Sequence, residues 1–188
     1  IAWLESVAFG HIDRIGERVL IIGVGNTAMD CCRTSLRLGA RDVKVMARKP
    51  RAFFKASDWE LEDAEEESVQ IVINHAPRAF VVENGRLVGM TFDRMEYDID
   101  NGRILAERVV GEEFIPCDDV ILAIGQENAF PWIERDLGIE FDKWEVPVVD
   151  PVTFQSTREG VFFGGDAAFG PKNIIWAVEH GHQAAISI

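Results

Sequence analysis

The stretch "RVLIIGVGNTAMDCCRTSLRLGARDVKVMARKP" (18–50) decides the fold. Its first part, "RVLIIG" (18–23), is an unbroken apolar run of strand length, the pattern of a parallel strand buried on both faces. In the next part Ala28, Cys31, Cys32, Ser35, Leu36 and Leu38 recur at helical spacing, and Gly39 stops the helix. "DVKVMA" (42–47) is a second strand. Strand, helix, strand in about thirty residues makes a βαβ unit, with a right-handed crossover and a parallel sheet.

The first turn of that unit reads Gly23-x-Gly25-x-x-Ala28. Gly23 permits a tight turn. Gly25 lacks a Cβ, so a pyrophosphate can approach the backbone. Ala28 lets helix and strand pack closely. Asn26 and Thr27 stand at the helix N-terminus, where free N–H groups and the dipole favour an anion. The turn therefore predicts a dinucleotide site. The second strand indicates which dinucleotide. An NAD site carries an acid there for the ribose 2′-hydroxyl. Between Asp42 and Asp58 this chain has no acid and instead has Arg48, Lys49 and Arg51. A guanidinium grips a 2′-phosphate with a fork of donors, whereas a carboxylate repels it. The expected ligand is NADP(H), with Arg48 foremost.

Outward from this unit, "IAWLESVAFGHIDRIG" (1–16) reads as a short apolar helix and a linker. "SDWELEDAEEE" (57–67) reads as a helix, Ser57 and Glu60 forming a capping box, and "VQIVIN" (69–74) as a third strand. Asn84-Gly85 sits between two β-rich runs, the signal of a hairpin, and Asn101-Gly102 marks a second antiparallel turn. "DDVILAIG" (118–125) returns to a buried strand. "PWIERDLG" (131–138) reads as a short helix, and 143–157 as extended loop and edge strand. "GVFFGGD" (160–166) reads as a strand, followed by a helix from "KNIIWAVEHGHQAA". The expected class is α/β: a Rossmann-like parallel sheet with an antiparallel hairpin insertion, then a second strand–glycine–helix unit.

Composition narrows the partners. The net charge is −13 over 188 residues. Nucleic acid and anionic membrane are poor partners for such a surface. No apolar run approaches the ~20 residues of a membrane span, and no secretory signal is visible. The cysteines are Cys31, Cys32 and Cys117, with no Cys-x-x-Cys. Neither a disulfide framework nor a zinc site is expected, and a reducing, cytoplasmic compartment is. The four histidines are scattered; His180 and His182 point differently on a helix, so no metal site is expected. The chain opens at Ile1 and closes inside a helical pattern, so the expectation is a piece of a longer protein.

The "GGD" at 164–166 is a second strand–glycine–helix unit, with Gly165 and Asp166 before a helix that starts near Asn173 and Ile174. Asp166 there either accepts hydrogen bonds from ribityl or ribose hydroxyls or caps a helix. Both readings stay open on local sequence.

Four ordered segments, "VLIIGVGNTAMDCCRTSLRLGARDVKVMARK", "ASDWELEDAEEESV", "DDVILAIGQ" and "GVFFGGDAAFGPKNIIWAVEHGHQAA", give the chain its resemblance to a family. It resembles the FAD- and NADPH-dependent small (beta) subunit of glutamate synthase and the flavin region of dihydropyrimidine dehydrogenase, across nearly all of 1–188. The resemblance implies an NADPH domain over 17–125, after a linker over 1–16. It also implies that 126–188 is the return into an FAD domain whose first half lies upstream. It assigns Gly23, Gly25 and Asn26 to the NADPH pyrophosphate, Arg48 and Lys49 to the basic pair after the second strand, and Gly125 to the nicotinamide edge. It assigns Asp166 to the FAD ribityl–phosphate region, and Asn173 and Ile174 to a helix start facing the flavin. An iron–sulfur or glutamate synthase-type partner subunit or domain is implied. Ser68 departs from the family, which has a glycine at the end of the acidic helix. Hydride transfer from NADPH to flavin needs no acid or base, so no catalytic side chain is expected. The alternative is a non-catalytic nucleotide-binding or docking module of a larger electron-transfer complex.

Overall fold

The computed structural model describes all of residues 1–188. They form two compact units, Ile1–Gly125 and Gln126–Ile188.

The first unit is built around β1 (Arg18–Ile22). Parallel to it lie β2 (Asp42–Met46) on one side and β7 (Asp119–Leu122) on the other, with β3 (Gln70–Val72) beyond β2, giving the order β3-β2-β1-β7. The apolar run of β1 is buried on both faces, as its composition requires. Val19 and Ile21 point into a core with α2 (Asn26–Arg37) and α3 (Asp58–Glu66), filled by Met29, Cys31, Cys32, Leu61 and Ala64. Leu20 and Ile22 point to the opposite face, where Met90, Phe92, Ile115 and Cys117 cover them. That cover is a three-stranded antiparallel sheet of β4 (His75–Glu83), β5 (Arg86–Asp100) and β6 (Arg103–Pro116). Both of its turns are Asn-Gly with positive φ at each residue, the requirement of a type I′ hairpin: Asn84 at 49° and Gly85 at 76°, Asn101 at 46° and Gly102 at 73°.

The stretch read as helix and linker (1–16) is fastened to this unit. It carries α1 (Ala2–Ala8); Trp3, Leu4 and Ile15 pack against the helix-side core. The Gly16 N–H donates to Asp119 Oδ2 at 2.7 Å.

Three expected elements differ. The Ser57 side chain makes no cap bond, so there is no capping box. Glu60 turns instead toward Arg33, 3.8 Å away. Residues 131–138 form turns rather than a helix, with backbone N–H donation only from Ile133 to the Phe130 carbonyl and from Leu137 to the Glu134 carbonyl. Pro131 supplies no N–H, and three of the residues that follow, Glu134, Arg135 and Asp136, are charged, leaving too few apolar positions to hold a helix face. The apolar run 160–166 makes only an isolated bridge, Phe162 to Gln155, because the second unit offers it no neighbouring strand. The second unit ends in α4 (Asp166–Phe169) and α5 (Ile174–Ser187). No helix of the structure is long and apolar enough to cross a membrane.

Candidate functional site

A cleft of about 510 Å³ opens at the C-terminal ends of β1, β2 and β7, where parallel α/β sheets bind ligands. Gly23, Gly25 and Thr27 line it on the β1–α2 side, and Ala123, Ile124 and Gly125 on the β7 side. The glycines divide the labour. Gly23 has φ +124°, and a Cβ there would lie 2.3 Å from the Ala123 carbonyl oxygen, so two backbones meet where only glycine fits. Gly25 has φ −101° and nothing within 4 Å of its Cβ position, so it leaves open space at the helix start. The Asn26 and Thr27 N–H groups find no acceptor in the protein, so the N-terminus of the 12-residue α2 presents free donors at the cleft.

The floor near β2 is basic. Arg48, Lys49 and Lys55 line the cleft, and no carboxylate does, in a chain of net charge −13. Lys55 was not singled out from sequence. The turn Arg51–Phe53 folds back so that the Lys55 and Ala56 N–H groups donate to the Val24 carbonyl, at 3.2 and 3.0 Å, which returns Lys55 to the glycine turn. Its signal was the basic cluster continuing four residues past Arg51. Pro77, entering from β4, was equally invisible because it is distant in sequence.

The side chains of two expected residues are tied to neighbouring elements. The Asn26 Oδ1 accepts the Ser57 N–H at 3.0 Å, joining the start of α2 to the start of α3. Arg51 lies outside the cleft lining and forms a two-pronged pair with Glu65 on α3, Nη2 to Oε2 at 2.8 Å. That hydrogen-bonded guanidinium holds the Glu65 carboxyl below its usual range. Arg48 is half-exposed and paired with Glu107 of β6 at 2.5 Å, and the Tyr97 hydroxyl of β5 donates to the Arg48 carbonyl at 2.5 Å. The long β5–β6 hairpin thus holds the loop after β2. Burial first, and the Glu107 charge second, push the Tyr97 phenol up, so it stays a donor. Lys49 makes no ion pair.

In the second unit Gly165 adopts φ +57°, ψ −145°, a region open essentially to glycine. Asp166 follows it, exposed; its Oδ1 accepts the Lys172 N–H at 3.2 Å, and its backbone carbonyl accepts the Asn128 amide at 2.7 Å. Asn173 is the N-cap of α5, its Oδ1 accepting the Trp176 N–H at 3.2 Å, and Ile174 beside it is exposed. The capping ambiguity noted at Asp166 thus falls on Asn173 instead.

The three cysteines are buried and unpaired. Burial pushes the Cys31 thiol up to about 11, Cys32 to about 12 and Cys117 to about 11. They are protonated core side chains.

A family model described as pyridine nucleotide-disulphide oxidoreductase matches residues 3–181. The beta subunit of NADP(+)-dependent formate dehydrogenase from Moorella thermoacetica is 42% identical over 176 residues, which is 92% of this chain and 25% of that protein. The glutamate synthase [NADPH] small chain from Halomonas elongata is 37% identical over 191 residues, 98% of this chain and 40% of that protein. The chain thus spans less than half the length of these relatives. Among solved structures, T. acidophilum thioredoxin reductase superposes with a TM-score of 0.73 at 21% identity, over 97% of this chain and 54% of that one. That likeness is one of fold.

Proposed function

This chain belongs to the pyridine nucleotide-disulphide oxidoreductase family, and on that premise we propose that it is the NADPH-binding portion of a flavin-dependent oxidoreductase. In this reading residues 17–125 bind NADPH. Residues 126–188 complete an FAD domain whose remainder lies in sequence outside this chain, as in the longer relatives. The family is one of oxidoreductases, and two relatives carry NADP in their names: the formate dehydrogenase beta subunit and the glutamate synthase small chain. A partner subunit or domain, iron–sulfur or glutamate synthase-type, belongs to the same reading.

The observation that carries it is the cleft with three bases and no acid beside a free helix N-terminus. A pyrophosphate fits over Gly25, where no Cβ and no other atom stands, with the Asn26 and Thr27 N–H groups as donors. The 2′-phosphate fits at Arg48, Lys49 and Lys55, with Arg51 flanking them. To reach Arg48 it must take the place of Glu107, an exchange of one anion for a doubly charged one on a half-exposed guanidinium. Gly125, with φ +105°, borders the cleft at the other end, where the nicotinamide is to lie. Asp166 has one carboxylate oxygen without a protein donor and is assigned to the ribityl hydroxyls. When bound, NADPH supplies the hydride and the flavin accepts it. The chain's own residues bind and orient, and none is assigned acid–base work.

The test is nucleotide preference. Arg48→Glu places a carboxylate where the 2′-phosphate is read, so the NADPH Kd is expected to rise about 10- to 100-fold with NADH little affected. A wild type that binds NADPH and NADH equally would sink the 2′-phosphate assignment. Stopped-flow reduction of the full-length flavoprotein by NADPH separates hydride transfer from mere docking: no flavin bleaching would leave only a binding module.

A further inference from the structure

We propose that His180 is a positioning residue for the Gly164–Gly165–Asp166 turn, holding the Asp166 carboxylate where a flavin ribityl chain needs it. The proposal rests on the assignment of Asp166 above. His180 is the single buried residue of the 14-residue α5, at 7% exposure. A buried imidazole needs partners for its polar ring atoms. One of those atoms is committed. The Gly165 N–H donates to His180 Nδ1 at 2.9 Å in a buried setting. Nδ1 therefore carries the lone pair, and the ring proton sits on Nε2.

The rest of the ring is fixed by packing. Phe169, Phe154 and Trp176 surround it, with centroids 4.6, 5.1 and 5.8 Å away. The turn is pressed against the same helix. A Cβ on Gly164 would lie 2.8 Å from the His180 Cβ, and one on Gly165 would lie 3.0 Å from the Ala177 Cβ. Gly165 adopts its conformation without steric cost and is equally free to leave it, so its surroundings must hold it there. Two steric stops and one directed acceptor do so here. The next residue is Asp166, so the direction in which its side chain leaves the backbone is set by Gly165. A leucine at 180 would fill the aromatic cage but leave a buried N–H without an acceptor, and the turn would relax to find one. An asparagine places Oδ1 near the position of Nδ1 and keeps the acceptor.

The experiment uses the full-length protein with FAD as the ligand. His180→Leu is expected to weaken FAD binding about ten-fold, and His180→Asn to restore it to within about three-fold of wild type. NADPH affinity serves as the folding control and is expected to stay unchanged in both. Nitrogen-15 NMR of wild type at neutral pH is expected to show an unprotonated Nδ1 and a protonated Nε2. The proposal fails if His180→Leu retains FAD like wild type, if both variants lose it equally, or if Nδ1 carries the proton. If wild type binds no FAD, the flavin assignment falls, while the NMR tautomer still decides whether His180 holds Gly165.

Discussion

Gly23 and Gly25 share a motif, yet their substitutions separate folding from binding. Gly23→Ala drives a Cβ to 2.3 Å from the Ala123 oxygen at a positive φ, and neither backbone has slack. It is expected to destabilise by about 3 kcal/mol or more, read as a large drop in Tm. Gly25→Ala meets nothing, so its Tm is expected to stay within a few degrees of wild type while NADPH binding weakens. Equal Tm losses in the two variants would refute this division. Ser68 makes a complementary case. Helix α3 ends in a Schellman motif, with Val69 N–H to Ala64 O and Ser68 N–H to Glu65 O, both 3.0 Å. Helix α2 ends in the same motif, but its left-handed residue is Gly39, at φ +100°. Ser68 takes φ +71° with a side chain. Ser68→Gly is expected to stabilise by about 1 kcal/mol in chemical denaturation, since the left-handed cost disappears. The departure from the glycine pattern was visible in the sequence; that the backbone still demands glycine geometry there was not.

Helices α2 and α3 are joined by charge as well as by core. Arg33 lies 2.8 Å from Glu67 and 3.0 Å from Asp63, and Arg37 also reaches Glu67 at 3.0 Å. The Arg33 hydrogen bond holds the Glu67 carboxyl below its ordinary value of 4.5. A carboxylate with a depressed folded pKa stabilises above its unfolded pKa and loses that contribution as pH falls through the folded one. Arg33→Met is therefore expected to be less stable than wild type at pH 7, by the modest amount of a solvent-screened cluster. The gap is expected to narrow as pH drops below about 4.5, which paired urea titrations at pH 7 and pH 3 would show. A gap that is the same at both pH values would assign the loss to packing of the Arg33 stem instead. At this scale the exposed Glu62 and Glu66 of the acidic run 57–67 form a solvated face. Its ion pairs with α2 were not legible, because residues thirty apart meet only once the crossover is made.

The whole molecule is strongly acidic, and its cleft is not. In the proposed reading, NADPH approaches Arg48, Lys49 and Lys55 against the field of a chain carrying −13. Ionic strength screens both the attraction of the cleft and the repulsion of the rest over about 8–10 Å. The contact term is the nearer one, so the NADPH Kd is expected to rise several-fold between about 20 and 200 mM salt. Fluorescence titration of NADPH checks this, and a Kd that falls with salt would mean that the global charge dominates. The first unit contains both of its cores within 1–125.

What the sequence by itself determined is the part carried by short-range pattern. The apolar run of β1, the helical spacing of α2, the two Asn-Gly turns and the basic stretch after β2 are local, and they specify a βαβ unit, an antiparallel insertion and a basic, acid-free edge beside the glycine turn. What only the tertiary structure decided depends on partners far along the chain. Gly23 is required by the carbonyl of Ala123, a hundred residues away. Asn26 is spent on Ser57, and Arg48 on Glu107. The apolar run at 160–166 makes one isolated bridge, to Gln155. The physical reason is common to all four. Periodicity and backbone preference act over a few residues, whereas a hydrogen-bond partner, a close approach or a strand neighbour exists only after the chain has folded.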